Sequence, residues 1–96
     1  MKTPEGYEKA DVIKYLKSIG AYYFCPVQTG YGQQTVDIIA CINGVFWGLE
    51  IKREGKLQTK RQLEHANNIM KAGGHIAWGT ANKVIAKIGW TASTLY

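Results

Sequence analysis

The chain has 96 residues, and its 46% hydrophobic content supports one core and argues against intrinsic disorder, so residues 1–96 read as a single domain. No apolar run approaches the ~20 residues of a membrane-spanning helix. The opening Met1-Lys2-Thr3-Pro4-Glu5 leads into a charged segment unlike a signal peptide, which sets the expectation of a cytoplasmic protein without a membrane partner. Twelve Lys and Arg against seven Asp and Glu give +5, a balance that suits a polyanionic partner such as nucleic acid and equally a merely soluble basic domain.

The first element is a helix: Thr3 can cap it, Pro4 suits its first turn, and Val12, Ile13, Leu16 and Ile19 recur at helical spacing until Gly20. Ala21 to Cys25 is short and aromatic, as a strand is, and Pro26 marks an edge or an end. Tyr22, Tyr23 and Phe24 are therefore read as core or subunit contact ahead of base stacking. A polar loop follows from Gln28 to Thr35, and its Gly30-Tyr31-Gly32 lacks the register of a phosphate-binding loop. Cys25 and Cys41 lack the paired spacing of zinc or redox motifs and are expected as reduced, buried thiols.

Two β-type runs, Val36 to Ile42 and Val45 to Lys52, flank Asn43-Gly44, the strongest short-range hairpin signal. With a two-residue loop, Ile42 faces Val45 and Asp37 falls opposite Glu50. One face then carries Ile38, Ala40, Ile42, Val45, Trp47, Leu49 and Ile51, and is the core face. The other carries Asp37, Ile39, Cys41, Phe46, Gly48, Glu50 and Lys52. After a basic loop, Thr59-Lys60-Arg61-Gln62 opens a second helix with a capping-box pattern, its apolar face is Leu63, Ala66, Ile69 and Met70, and Gly73-Gly74 stops it. His75 to Gly79 reads as a strand and Ala81 to Ile88 as a last helix. The expected fold class is α/β, a mixed sheet flanked by helices in the order α-β-β-β-α-β-α.

Two carboxylates at the foot of the hairpin repel by about 4 kcal/mol at ~4 Å and an effective dielectric near 20. A raised pKa, a neighbouring cation such as Lys52 or a bound metal ion can offset this. Asp37 and Glu50 with no obvious histidine or thiolate suit Mg²⁺ or Mn²⁺ over Zn²⁺, and Lys52 could then position water or stabilise charge on a phosphate. The plain alternative is two acids and a lysine on an exposed sheet edge. Lys52, Arg53, Lys56, Lys60 and Arg61 form a basic cluster beside this point, read as contacts to a DNA backbone ahead of a simply solvated face. His65 and His75 are too far apart in sequence to be read as a metal pair.

Asp37, twelve residues, then Glu50-Ile51-Lys52 resembles the D-x(n)-E-x-K signature of the PD-(D/E)xK nucleases. With Gly55, Lys56, Leu57, Thr59, Gln62 and Gly73-Gly74 it resembles the VRR-NUC (virus-type replication-repair nuclease) family over nearly the whole chain. The resemblance implies a restriction-endonuclease-like fold and a Mg²⁺- or Mn²⁺-dependent DNA endonuclease with Asp37, Glu50 and the Ile51 carbonyl as metal ligands. Lys52 would be the catalytic lysine and Gln62, also explained as the capping partner of Thr59, an active-site glutamine. An acid on the first helix, Glu8 or Glu5, would lie near the metal. Val36 stands where the family usually has proline, and Gln33-Gln34-Thr35 where a glycine is common, a departure that bears on substrate fit. The implied substrate is branched DNA, foremost the Holliday junction cut by a homodimer in a bacterial or phage-infected cell. A monomeric flap or nicking endonuclease and a non-catalytic DNA-binding module are the alternatives.

Overall fold

The computed structural model describes residues 4–27 and 35–95, with side chains through residue 91. The Thr3 cap and the Gln28–Gln34 part of the expected loop lie outside the described residues. The element order is α1 (Pro4–Ser18), β1 (Tyr22–Phe24), β2 (Ile38–Ile42), β3 (Val45–Ile51), α2 (Lys60–Lys71), β4 (His75–Gly79) and α3 (Ala81–Leu95). The strands form one sheet in the order β1-β2-β3-β4, antiparallel across the first two junctions and parallel between β3 and β4. The expected α-β-β-β-α-β-α order is therefore the order of the fold.

The hairpin turns on Asn43 at φ 52° and Gly44 at φ 81°, both in the left-handed region that a two-residue type I′ turn demands. Ile42 pairs with Val45 and Ile38 with Leu49, so the register counted from the turn is the one present. Ile38, Ala40, Ile42, Trp47, Leu49 and Ile51 are buried on one face against Val12 and Leu16 of α1 and Val84 and Ile88 of α3. Each such large apolar side chain contributes about 1.5–3 kcal/mol on full burial.

That other face is only partly covered. Helix α2 starts with the expected capping box, in which Thr59 Oγ1 accepts from the Gln62 N–H and Gln62 Oε1 accepts from the Thr59 N–H. It ends as the glycine pair requires: the Gly73 N–H donates to Met70 O and the Gly74 N–H to Ile69 O, with Gly73 at φ 97°. Of its apolar residues Ala66 is buried, whereas Leu63 and Met70 stay 47% and 50% exposed. The helix packs on β4, so the β1–β2 half of this face lacks it, and Tyr22 and Phe24 are 70% and 52% exposed. Cys41 is exposed for the same reason, which corrects the expectation of a buried thiol there. Cys25 is half-buried and packs against the core, and both thiols are free.

Two further boundaries differ. Strand β2 begins at Ile38 because Asp37 leaves the ladder. Helix α3 runs past Ile88 to Leu95, across Gly89. Glycine disfavours a helix interior by about 1 kcal/mol, but here α1 packs alongside α3 and a Cβ at Gly89 would lie 3.9 Å from the Tyr15 hydroxyl. Packing between the helices carries α3 through a weak position.

Candidate active site

Asp37, Glu50 and Lys52 come together where β3 ends. Across the hairpin, Asp37 Oδ2 accepts the Ile51 N–H at 2.8 Å. A side chain thus replaces a ladder bond, and Asp37 is pinned to the residue that follows Glu50. Glu50 is 0% exposed on the α2 face. Gln58, in the loop before α2, donates from Nε2 to Glu50 Oε2 at 2.7 Å, while Oε1 is buried without a hydrogen-bond partner among the described residues. Burial pushes the Glu50 carboxyl above its ordinary value, and Asp37 pushes it the same way; the Gln58 hydrogen bond and Lys52 pull against them. Two of the three possible offsets for the paired acids are therefore present, a raised pKa and a neighbouring cation.

An orphaned buried carboxylate oxygen costs free energy unless something completes it. Mg²⁺ or Mn²⁺ suits this donor set of hard carboxylate oxygens beside a backbone carbonyl. Among the described residues no group of three His, Cys, Asp or Glu side chains converges, so such an ion would rest on Asp37, Glu50, the Ile51 carbonyl and water.

Other expected residues take distinct places. Lys52 is half-buried just past β3, its N–H bonded to Gly79 O at 2.7 Å. Arg53, Lys56, Lys60 and Arg61 are all exposed along the loop and the first turn of α2. The glutamine that touches Glu50 is Gln58, whereas the Gln62 side-chain oxygen closes the capping box. Glu8 reaches across from α1 and accepts the Ala81 N–H at the start of α3. Glu5 lies half-buried one turn earlier in α1. His75 stacks on Trp47 with centroids 4.9 Å apart, and with His65 it lines a cavity of about 760 Å³ between α2 and the hairpin, away from Glu50.

Reasoning along the chain did not single out Gln58 or Trp78. Gln58 belongs to no motif, its one signal being its place immediately before the helix cap. Trp78 is the β4 partner of Glu50 in the parallel register, and it became visible as a neighbour only once that pairing was set.

An open-faced mixed sheet carrying a buried acid, a pinned second acid and a lysine at one strand end defines the class of fold. Among solved structures it is similar to a chain described as "VRR_NUC domain", with a TM-score of 0.76 at 20% identity, covering 91% of this chain and 95% of that one. The fold is that of a VRR_NUC domain, as the motif resemblance implied. No protein-family profile matches the chain, and no curated protein does.

Proposed function

We propose that this protein is a Mg²⁺- or Mn²⁺-dependent endonuclease that hydrolyses phosphodiester bonds in branched DNA. The observation that carries the reading is the fully buried Glu50 Oε1, unpartnered among the described residues, beside an Asp37 held on the Ile51 N–H. Asp37, Glu50 and the Ile51 carbonyl would hold the ion. When bound, the ion supplies Lewis acidity toward the phosphate and a water of lowered pKa. Gln58 holds one oxygen of Glu50 and so leaves the other aimed for coordination. Lys52 orients the attacking water or stabilises the charge that builds on the phosphate oxygens. Arg53, Lys56, Lys60 and Arg61 take backbone phosphates, which gives affinity without base information.

Gln62 acts one step removed, by closing the cap that keeps the Gln58–Thr59 segment against Glu50. Glu8 holds the start of α3 beside the Lys52–Gly79 junction. Each chain carries one such site and cuts one strand, so resolving a four-way junction takes a homodimer. The localisation that fits is the cytoplasm.

The test is cleavage of a synthetic four-way junction with Mg²⁺ or Mn²⁺, alongside sedimentation to count subunits. Ion-dependent, paired cuts that vanish in Glu50→Gln and Lys52→Ala support the reading. Salt-sensitive binding with no cleavage under any divalent ion would replace it with a DNA-binding module.

A further inference from the structure

Strand β4 is an edge of the sheet, and beyond it α2 and α3 frame a trough of about 390 Å³. Leu63 and Met70 of α2 and Trp78 of β4 give it apolar lining, Gln58 and Asn67 supply amides, and Lys83 and Lys87 of α3 line it as well. Trp78 is 40% exposed, in a trough that leaves Leu63 and Met70 half exposed as well. Such an uncovered apolar strip has a reason to exist if a ligand covers it.

The trough is continuous with the candidate active site. Gln58 lines it and donates to Glu50, and Trp78 is the direct strand partner of Glu50. The charges continue too. Lys83 Nζ lies 3.8 Å from Glu54 Oε1 in the basic loop, a solvent-exposed pair that a phosphate can displace at little cost. Gly79, at φ 129°, holds a backbone that L side chains rarely adopt, and a Cβ there would stand 3.0 Å from Lys83 Cδ. The Lys83 stem thereby packs against the end of β4 beside the trough.

A flat aromatic face, amides at its rim and two lysines one helical turn apart form a recognition set for a nucleotide rather than for a protein surface. A base stacks on any aromatic face, and phosphates on either side of it find ammonium groups.

We propose that this trough is a subsite for an unpaired nucleotide next to the cleaved bond, with its base stacked on Trp78 and its flanking phosphates held by Lys83 and Lys87. The proposal rests on the nuclease reading and deepens it: the DNA selected is DNA whose branch point exposes an unstacked base.

The test compares cleavage of a nicked duplex with that of the same duplex bearing a short unpaired flap. Wild-type protein prefers the flapped substrate. In Trp78→Ala the ratio of the two rates falls about tenfold, Trp78→Phe restores most of it, and Lys83→Ala/Lys87→Ala flattens the salt dependence of the preference. A ratio unchanged in Trp78→Ala would overturn the subsite. A second arm needs no catalysis: in EDTA, an oligothymidylate of about fifteen nucleotides quenches tryptophan fluorescence in the wild type and not in Trp78→Phe. Equal quenching in both proteins would overturn the proposal even if cleavage persists. A wild type that cleaves nothing yet shows the Trp78-dependent quench would sink the nuclease reading and leave the subsite standing. If Trp78→Ala instead converts a dimer to a monomer and leaves oligonucleotide binding intact, the trough is a contact between copies of the chain.

Discussion

The two faces of the sheet are built to opposite rules. On one, Ile38, Trp47, Leu49 and Ile51 alternate with strand period and are sealed by α1 and α3. On the other, among the described residues, helix α2 covers part of the sheet, a glutamate is buried with one oxygen unpaired, and aromatic side chains at both sheet edges stay exposed. The first face carries the stability that lets the second keep an arrangement unfavourable in itself. Leu49 and Glu50 are adjacent in sequence, so the contrast can be probed one residue apart.

The largest effect should come from the charged face. Glu50→Gln is expected to reduce ion-dependent cleavage of branched DNA by a hundredfold or more while circular dichroism stays native. Leu49→Ala should do the reverse, lowering stability by about 2–5 kcal/mol in urea unfolding. Surviving protein should keep its metal affinity. If the two variants fail alike, the division of labour between the faces is wrong.

The pH dependence follows from the raised Glu50 pKa. Folded Glu50 holds its proton more tightly than the unfolded chain does, so below the unfolded value of 4.5 it carries no penalty. As pH rises through the higher folded value the metal-free wild type loses stability that Glu50→Gln keeps. The melting temperature of Glu50→Gln minus that of the wild type, measured in EDTA, should therefore increase between pH 4.5 and neutrality. A difference that stays flat would mean that burial does not disfavour the charge.

Smaller effects should come from the supports. Thr59→Ala removes the α2 cap and is expected to cost about 1 kcal/mol by thermal unfolding. Glu8→Gln retains an acceptor for the Ala81 N–H, so it should keep the stability that Glu8→Ala loses. Cleavage lost in Glu8→Gln with stability intact would show that the charge of Glu8, and not its capping bond, is what the reaction needs.

Much of this was legible along the chain because it depends on local rules. Asn43-Gly44 sets the register by turn geometry, the register sets which face each residue takes, and Thr59-x-x-Gln62 and Gly73-Gly74 bound α2 by backbone hydrogen bonding. What escaped depends on distant partners. Asp37 leaves its strand to bind the Ile51 N–H, and Gln58 meets Glu50 because the loop after β3 folds back over it. Gly89 is carried through a helix by packing against α1. Cys41, Leu63 and Met70 are exposed because the helical cover on their side is narrower than a periodicity pattern reveals.

The central claim is that the orphaned Glu50 oxygen, with Asp37 beside it, is a metal ligand. Calorimetric titration of Mn²⁺ into the wild type, Glu50→Gln and Asp37→Asn tests it without any substrate. The wild type should bind the ion and both variants should lose affinity by at least about tenfold, in line with the loss of a carboxylate ligand. Equal Mn²⁺ affinity in all three proteins would contradict the account.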